Sequence, residues 1–189
     1  MKKTDARVRY TKNAIKEAFL SCLEEKSVNQ ITVKEICERA QLNRATFYAH
    51  YRDCYDLLGS LEEELLTEFD ELLRYVDSPD LSAMIGGIYA LIDRNQEACR
   101  LLIFEKRSAS LIRRMIEQAR EKSLAVWRGR LPGIREEEME MLYTHLSHGL
   151  MHVVLDHYGS VPRETVIRFV NRIVWASLAL YRDLAVKGS

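Results

Sequence analysis

Apolar residues between Thr11 and about Lys26 recur every three or four positions, at Ala14, Ile15, Ala18, Phe19, Cys22 and Leu23, the pattern of a helix with one buried face. Thr11 can cap its start. Thr32-Val33-Lys34-Glu35 then reads as a capping box, the threonine oxygen serving the N3 amide while the glutamate reaches back to the cap. The helix it opens has an inner stripe of Val33, Ile36, Cys37 and Ala40. Gln41-Leu42-Asn43 is a turn. A short helix from Arg44 to about Tyr51, capped by Asn43, buries Phe47 and Tyr51 one turn apart. Two short helices joined by three residues predict a helix-turn-helix.

Asp53 caps a long fourth helix whose apolar positions run from Leu57 to Val76, ahead of Ser78-Pro79. Further helices are expected over Leu81 to Asp93, Asn95 to about Glu105, Ser108 to about Arg128, Arg135 to Asp156 and Arg163 to about Val186. Pro79, Pro132 and Pro162 all fall in the gaps. Gly86-Gly87 interrupts the fifth helix at about 1 kcal/mol each relative to Ala, which predicts a bend or a close helix contact. Between Val166 and Tyr181 twelve of sixteen residues are apolar, more than one buried face requires. A second copy of the chain is the economical cover, through an interface of the last two helices of each subunit. A central core helix of a monomer is the alternative.

Composition narrows the class. Gly 8 and Pro 3 in 189 residues are about half of average usage, so the fold class is all-α with about nine helices. Lys+Arg 28 balances Asp+Glu 28, which excludes a uniformly basic nucleic-acid coat and an acidic disordered tail. The balance hides a division: residues 1–55 hold 11 Lys+Arg against 7 Asp+Glu, and residues 56–189 hold 17 against 21. We therefore divide the chain into a 1–55 helix-turn-helix domain with a basic N-terminal arm and a 56–189 helical domain. Cys22, Cys37, Cys54 and Cys99 form no Cys-x-x-Cys pair, in keeping with a reduced, cytoplasmic setting. No signal-peptide or membrane-spanning run is present in the sequence.

The candidate chemistry lies in the third helix. With Phe47 and Tyr51 facing inward, Arg44, Ala45, Thr46, Tyr48, Ala49 and His50 remain for a DNA groove. Arg44 could fork onto guanine, Ala45 or Ala49 could touch a thymine methyl, and the hydroxyls of Thr46 and Tyr48 could bond phosphates. Thr32 at a helix start suits a second phosphate. Lys2, Lys3, Arg7 and Arg9 are expected to form a mobile arm for backbone or minor-groove contact.

Ile31-Thr32-Val33-Lys34-Glu35-Ile36, then Arg44-Ala45-Thr46-Phe47-Tyr48-Ala49-His50-Tyr51 and Asp56-Leu57-Leu58, resemble the DNA-binding signature of the TetR family of bacterial transcriptional regulators. The match covers roughly residues 9–58, and Asn43-Arg44-Ala45-Thr46-Phe47-Tyr48 is similar to a subgroup that includes regulators of dihydroxyacetone-kinase operons. The resemblance implies a dimeric repressor on two-fold related half-sites of double-stranded DNA, released by a small-molecule effector bound in the C-terminal domain. It implies DNA contacts at Thr32, Asn43, Arg44, Ala45, Thr46, Tyr48, Ala49 and His50. Two positions depart from the family pattern: Gln41 stands where Gly is common, and Cys54 where a phosphate-binding Lys is common, leaving Arg52 or Tyr55 to substitute.

Tyr89, Phe104, Met115, Trp127, Tyr143, His148 and Met151 are the candidate pocket residues of the C-terminal domain. His145, His148 and His152 share one face of the eighth helix, but no accompanying Cys-x-x-Cys, His-Glu-x-x-His or carboxylate cluster supports a metal site there, so none is expected. The sequence contains no cofactor or nucleophile motif, and an enzyme is not expected. A helical adaptor acting through protein partners is the alternative function, and salt-dependent DNA binding separates it from a regulator.

Overall fold

The computed structural model describes residues 3–78, 80–105 and 109–187. Lys2, Pro79 and Ser108 lie outside them. Nine α-helices are present among the described residues: α1 (Lys3–Glu25), α2 (Val33–Arg39), α3 (Arg44–Tyr48), α4 (Cys54–Leu72), α5 (Ser82–Arg94), α6 (Gln96–Cys99), α7 (Ala109–Arg130), α8 (Glu136–Asp156) and α9 (Arg163–Lys187). Val28–Gln30 and Leu73–Tyr75 are 3-10 turns, and α6 runs on as a π-helical segment over Arg100–Glu105. The all-α class and the N-terminal helix-turn-helix agree with the periodicity.

Two expected boundaries move. The first helix starts at Lys3, not Thr11, because no Gly or Pro stands between residues 3 and 25 to stop it extending from its packed half. Arg7 and Arg9 are therefore exposed positions of a helix and not part of a mobile arm. The third helix ends at Tyr48 and not near Tyr51, as the chain tightens through a His50 amide bond to the Phe47 carbonyl at 2.9 Å. Ala49 and His50 lie in that closing turn.

The chain forms two compact units, one of Met1–Leu65 with Gln96–Ser108 and one of Leu66–Asn95 with Ala109–Ser189. The division falls inside α4 and assigns the α6 segment to the first unit. In that unit Phe19, Cys22, Ile36, Phe47, Leu57 and Cys99 are fully buried. Arg39 bonds Ser21 at 2.8 Å and Glu25 at 2.5 Å, fastening α2 to α1, while Arg100 pairs with Glu24.

The second unit is built around Leu124, Trp127, Met139, Tyr143, Leu146, Val170 and Val174, contributed by α7, α8 and α9. The paired glycines of α5 serve close contacts. A Cβ on Gly87 would lie 2.4 Å from Leu72 Cδ2, and one on Gly86 would lie 2.5 Å from an Arg163 guanidinium nitrogen. The same guanidinium lies 5.5 Å from the centre of the Tyr89 ring.

Candidate functional site

The reading face is assembled by caps. Thr32 Oγ1 accepts from the Glu35 amide at 3.3 Å and the Glu35 carboxylate accepts from the Thr32 amide at 2.9 Å, completing the capping box. Lys26 also bonds Glu35, and this contact first, with the Thr32 hydroxyl and amide, holds the Glu35 carboxyl down at about 2. At the far end of α2 the Leu42 amide bonds the Cys37 carbonyl at 2.9 Å and the Gln41 amide bonds that of Glu38 at 3.3 Å, a Schellman closure. It requires a left-handed residue at Gln41, where φ is +53°.

Asn43 Oδ1 then accepts from the Thr46 amide at 2.7 Å and from the Thr46 hydroxyl at 2.9 Å, starting α3. Phe47 is wholly buried beneath, whereas Arg44, Ala45, Tyr48 and Ala49 are exposed, with Thr46 and His50 half-buried. Asp53 accepts from the Tyr55 and Asp56 amides, both at 2.8 Å, and so starts α4. Cys54 is buried, its thiol bonded to the Ile31 carbonyl at 3.5 Å and pushed up in pKa by desolvation. It cannot reach a phosphate. Arg52 and Tyr55 beside it are exposed.

The cations of this unit fall into two sets. Lys16, Lys26, Lys34, Arg39 and Arg100 are held by carboxylates. Arg7, Arg9, Lys12, Arg44 and Arg52 have no ion-pair partner among the described residues. Lys2 and the Lys3 side chain lie outside the description. Thr32 and Thr46 already donate their hydroxyl protons, to Glu35 and Asn43 respectively, so an incoming phosphate would have to displace those bonds. Arg44 and Tyr48 are the α3 donors free of that competition.

The second unit contains a partly open cavity of about 130 Å³. Trp127, Tyr143 and Met151 of the expected pocket residues line it. The other four do not. Tyr89 packs against Tyr158 and Arg163, with its hydroxyl buried and unbonded among the described residues. Met115 is buried on a neighbouring face of α7, where Ile116 reaches the cavity instead. His148 is exposed, one residue past the lining Ser147, with Nδ1 at 2.9 Å from the Thr144 carbonyl. Phe104 belongs to the other unit.

Sequence reasoning missed Arg130, Trp175 and the α5 residues Met84, Ile85 and Ile88, all of which line the cavity. The signal available for Trp175 was the excess of apolar residues on α9. Three hydroxyls also line it: Ser123 donates to the Ala119 carbonyl at 2.8 Å, Tyr143 to that of Ile116 at 2.5 Å and Ser147 to that of Thr144 at 3.4 Å. Burial pushes the Tyr143 phenol well up in pKa.

Opposite the cavity side, α9 exposes Phe169, Ile173 and Leu180, and α8 exposes Met141. His145, His148 and His152 continue the Met141 stripe and are also exposed. No group of three potential metal ligands occurs among the described residues, and no helix there is long and apolar enough to cross a membrane.

The chain matches no family profile. It is 35% identical over 80 residues to the uncharacterised HTH-type transcriptional regulator YxbF of Bacillus subtilis, covering 42% of this chain and 21% of that one. It is 31% identical over 86 residues to an uncharacterised HTH-type regulator of Mycobacterium tuberculosis, covering 44% of each. The matched region thus spans less than half the length of these relatives. A TetR/AcrR-type transcriptional regulator from Aquifex aeolicus superposes with a TM-score of 0.63 at 18% identity, over 88% of this chain and 98% of that one. This chain has the TetR/AcrR-type fold. The dihydroxyacetone kinase operon activator DhaS shares it, with a TM-score of 0.51 at 17% identity over 94% and 95% of the two chains. Identities this low favour no single subgroup of regulators with that fold.

Proposed function

We propose that the protein is a dimeric DNA-binding repressor that releases its operator when a small molecule enters the C-terminal cavity. The observation that carries the reading is the division of α3: Phe47 anchors it from below while Arg44, Ala45, Tyr48 and Ala49 stand exposed, in a unit whose Arg7, Arg9, Lys12, Arg44 and Arg52 have no ion-pair partner among the described residues. Such a face suits a major groove, with Arg44 and Tyr48 as its principal donors and Arg52, Tyr55, Arg7 and Arg9 flanking it on the phosphates. The 1–55 segment serves as reader and the remainder as effector and dimerisation domain.

The exposed Phe169, Ile173 and Leu180 of α9 with Met141 of α8 support a self-complementary four-helix interface between two copies. Dimerisation sets the separation of two recognition helices, which must be roughly 34–36 Å to enter successive major grooves. Because α4 belongs by sequence to both units, a ligand that shifts its C-terminal half can alter that separation. The α3 motif further suggests kinship with the subgroup containing dihydroxyacetone-kinase operon regulators.

Selection of bound genomic fragments, followed by gel shift in graded salt, tests the reading. Enrichment of two-fold related sites, lost in Arg44→Ala, is expected. Absence of any enriched site would overturn it in favour of a protein-binding adaptor.

A further inference from the structure

The walls of the cavity are almost entirely apolar. Its three lining hydroxyls already donate to backbone carbonyls. Arg130 is the one charged residue among the described residues lining it, and no carboxylate is among them. The guanidinium of Arg130 lies 5.0 Å from the centre of the Trp175 ring. The indole N–H of Trp175 is buried with no acceptor among the described residues. Among the described lining residues the chamber therefore offers one cation, beside an indole whose buried N–H is unsatisfied. A cationic guest would meet Arg130 with no compensating anion. A dianion would exceed the charge available.

The present partner of Arg130 is Asp77, and it is a replaceable one. Arg130 Nη2 donates to the Asp77 carbonyl at 2.6 Å and to its carboxylate at 3.0 Å. The Asp77 side chain is 78% exposed and that of Arg130 29%, so solvent screens the pair from one side. All the bonds recorded for this guanidinium use Nη2, so Nε and Nη1 have no partner among the described residues. Both edges on which a guanidinium grips a carboxylate in a fork, Nη1 with Nη2 and Nε with Nη2, include the nitrogen that Asp77 holds, so a carboxylate bound in that geometry must displace Asp77. Asp77 stands just beyond the 3-10 turn that ends α4, so Arg130 clamps the end of that helix.

We propose that the cavity takes a small organic monocarboxylate with an apolar body, and that its carboxylate captures Arg130 from Asp77, releasing the clamp on the end of α4. This rests on the effector reading of the cavity and adds the ligand class and the residue exchange.

Both tryptophans of the chain, Trp127 and Trp175, line the cavity, so their fluorescence reports occupancy without DNA. The full chain is titrated with octanoate, octanol and octylamine. Octanoate is expected to bind about tenfold more tightly than either control, one carboxylate–guanidinium interaction's worth. Arg130→Gln should remove that preference while retaining octanol binding, which also reports an intact cavity. Asp77→Asn should tighten octanoate several-fold by removing the competitor. Equal binding of octanoate and octanol, a preference that survives Arg130→Gln, or no saturable change with any of the three overturns the proposal. Operator binding by the same preparations without ligand is scored separately, so loss of the DNA reading is distinguishable from loss of this one.

Discussion

The two units carry their chemistry in opposite ways. In the first, the candidate groups are side chains on a five-residue helix, α3, oriented by caps at Thr32, Asn43 and Asp53 whose partners lie within four residues. In the second, the candidate site is a space bounded by side chains from α4, α5, α7, α8 and α9, and its shape depends on packing across most of the unit. Short-range hydrogen bonds thus position the exposed donors, while long-range apolar contacts create the chamber. The first arrangement tolerates little change in backbone. The second tolerates substitutions that conserve volume.

The largest test of this contrast is Phe47→Ala. Removing a fully buried ring should cost about 3–5 kcal/mol, seen as earlier loss of helix signal on heating. Because both tryptophans lie in the second unit, their fluorescence transition should keep its midpoint. A coincident shift would mean that the units melt together and that the contrast is thermodynamically too sharp. Next, Phe169→Glu with Ile173→Glu should convert a dimer to monomers by light scattering, weakening association by at least about 2 kcal/mol, with octanoate titration unchanged. Tyr48→Ala should reduce operator affinity about tenfold, in the range of one hydrogen bond, with oligomeric state retained in the same sample.

Smaller effects probe the caps themselves. Gln41→Gly should stabilise the first unit by about 1 kcal/mol, since glycine adopts the left-handed conformation without a Cβ penalty, and denaturant unfolding measures it. Glu35 has a carboxyl lowered from 4.5 to about 2. Its stabilising contribution is therefore full above pH 4.5 and is lost as pH falls towards 2. In Glu35→Gln the melting temperature should depend less steeply on pH across that interval.

The same contrast explains what was legible in the sequence. Every cap in the first unit is a local pattern, so the helix-turn-helix and the orientation of Phe47 could be read directly. The N-terminal extension of α1 was not, because a solvent-facing helical turn carries no apolar stripe to announce it. The π-helical Arg100–Glu105 was hidden for a related reason, since its apolar run Leu101-Leu102-Ile103 fits any buried helix. In the second unit, neighbouring residues such as Met115 and Ile116, or Ser147 and His148, differ by about 100° around a helix. Which of them meets the chamber depends on the rotation of each helix against the others, information that no single segment contains. Arg130 was overlooked because a basic residue in the last turn of a helix is ordinarily a solvated partner of the helix dipole.

Helix α9 presents Val170, Val174 and Leu178 to the chamber and Phe169, Ile173 and Leu180 to the outside. Inserting or deleting one residue within it would turn everything beyond that point by about 100°, rotating part of the inward stripe towards solvent and part of the outward one into the chamber. Length variation among descendants of this chain should therefore accumulate at the turns around Gly133 and Gly159, where φ is already positive, and leave α9 with an unchanged residue count.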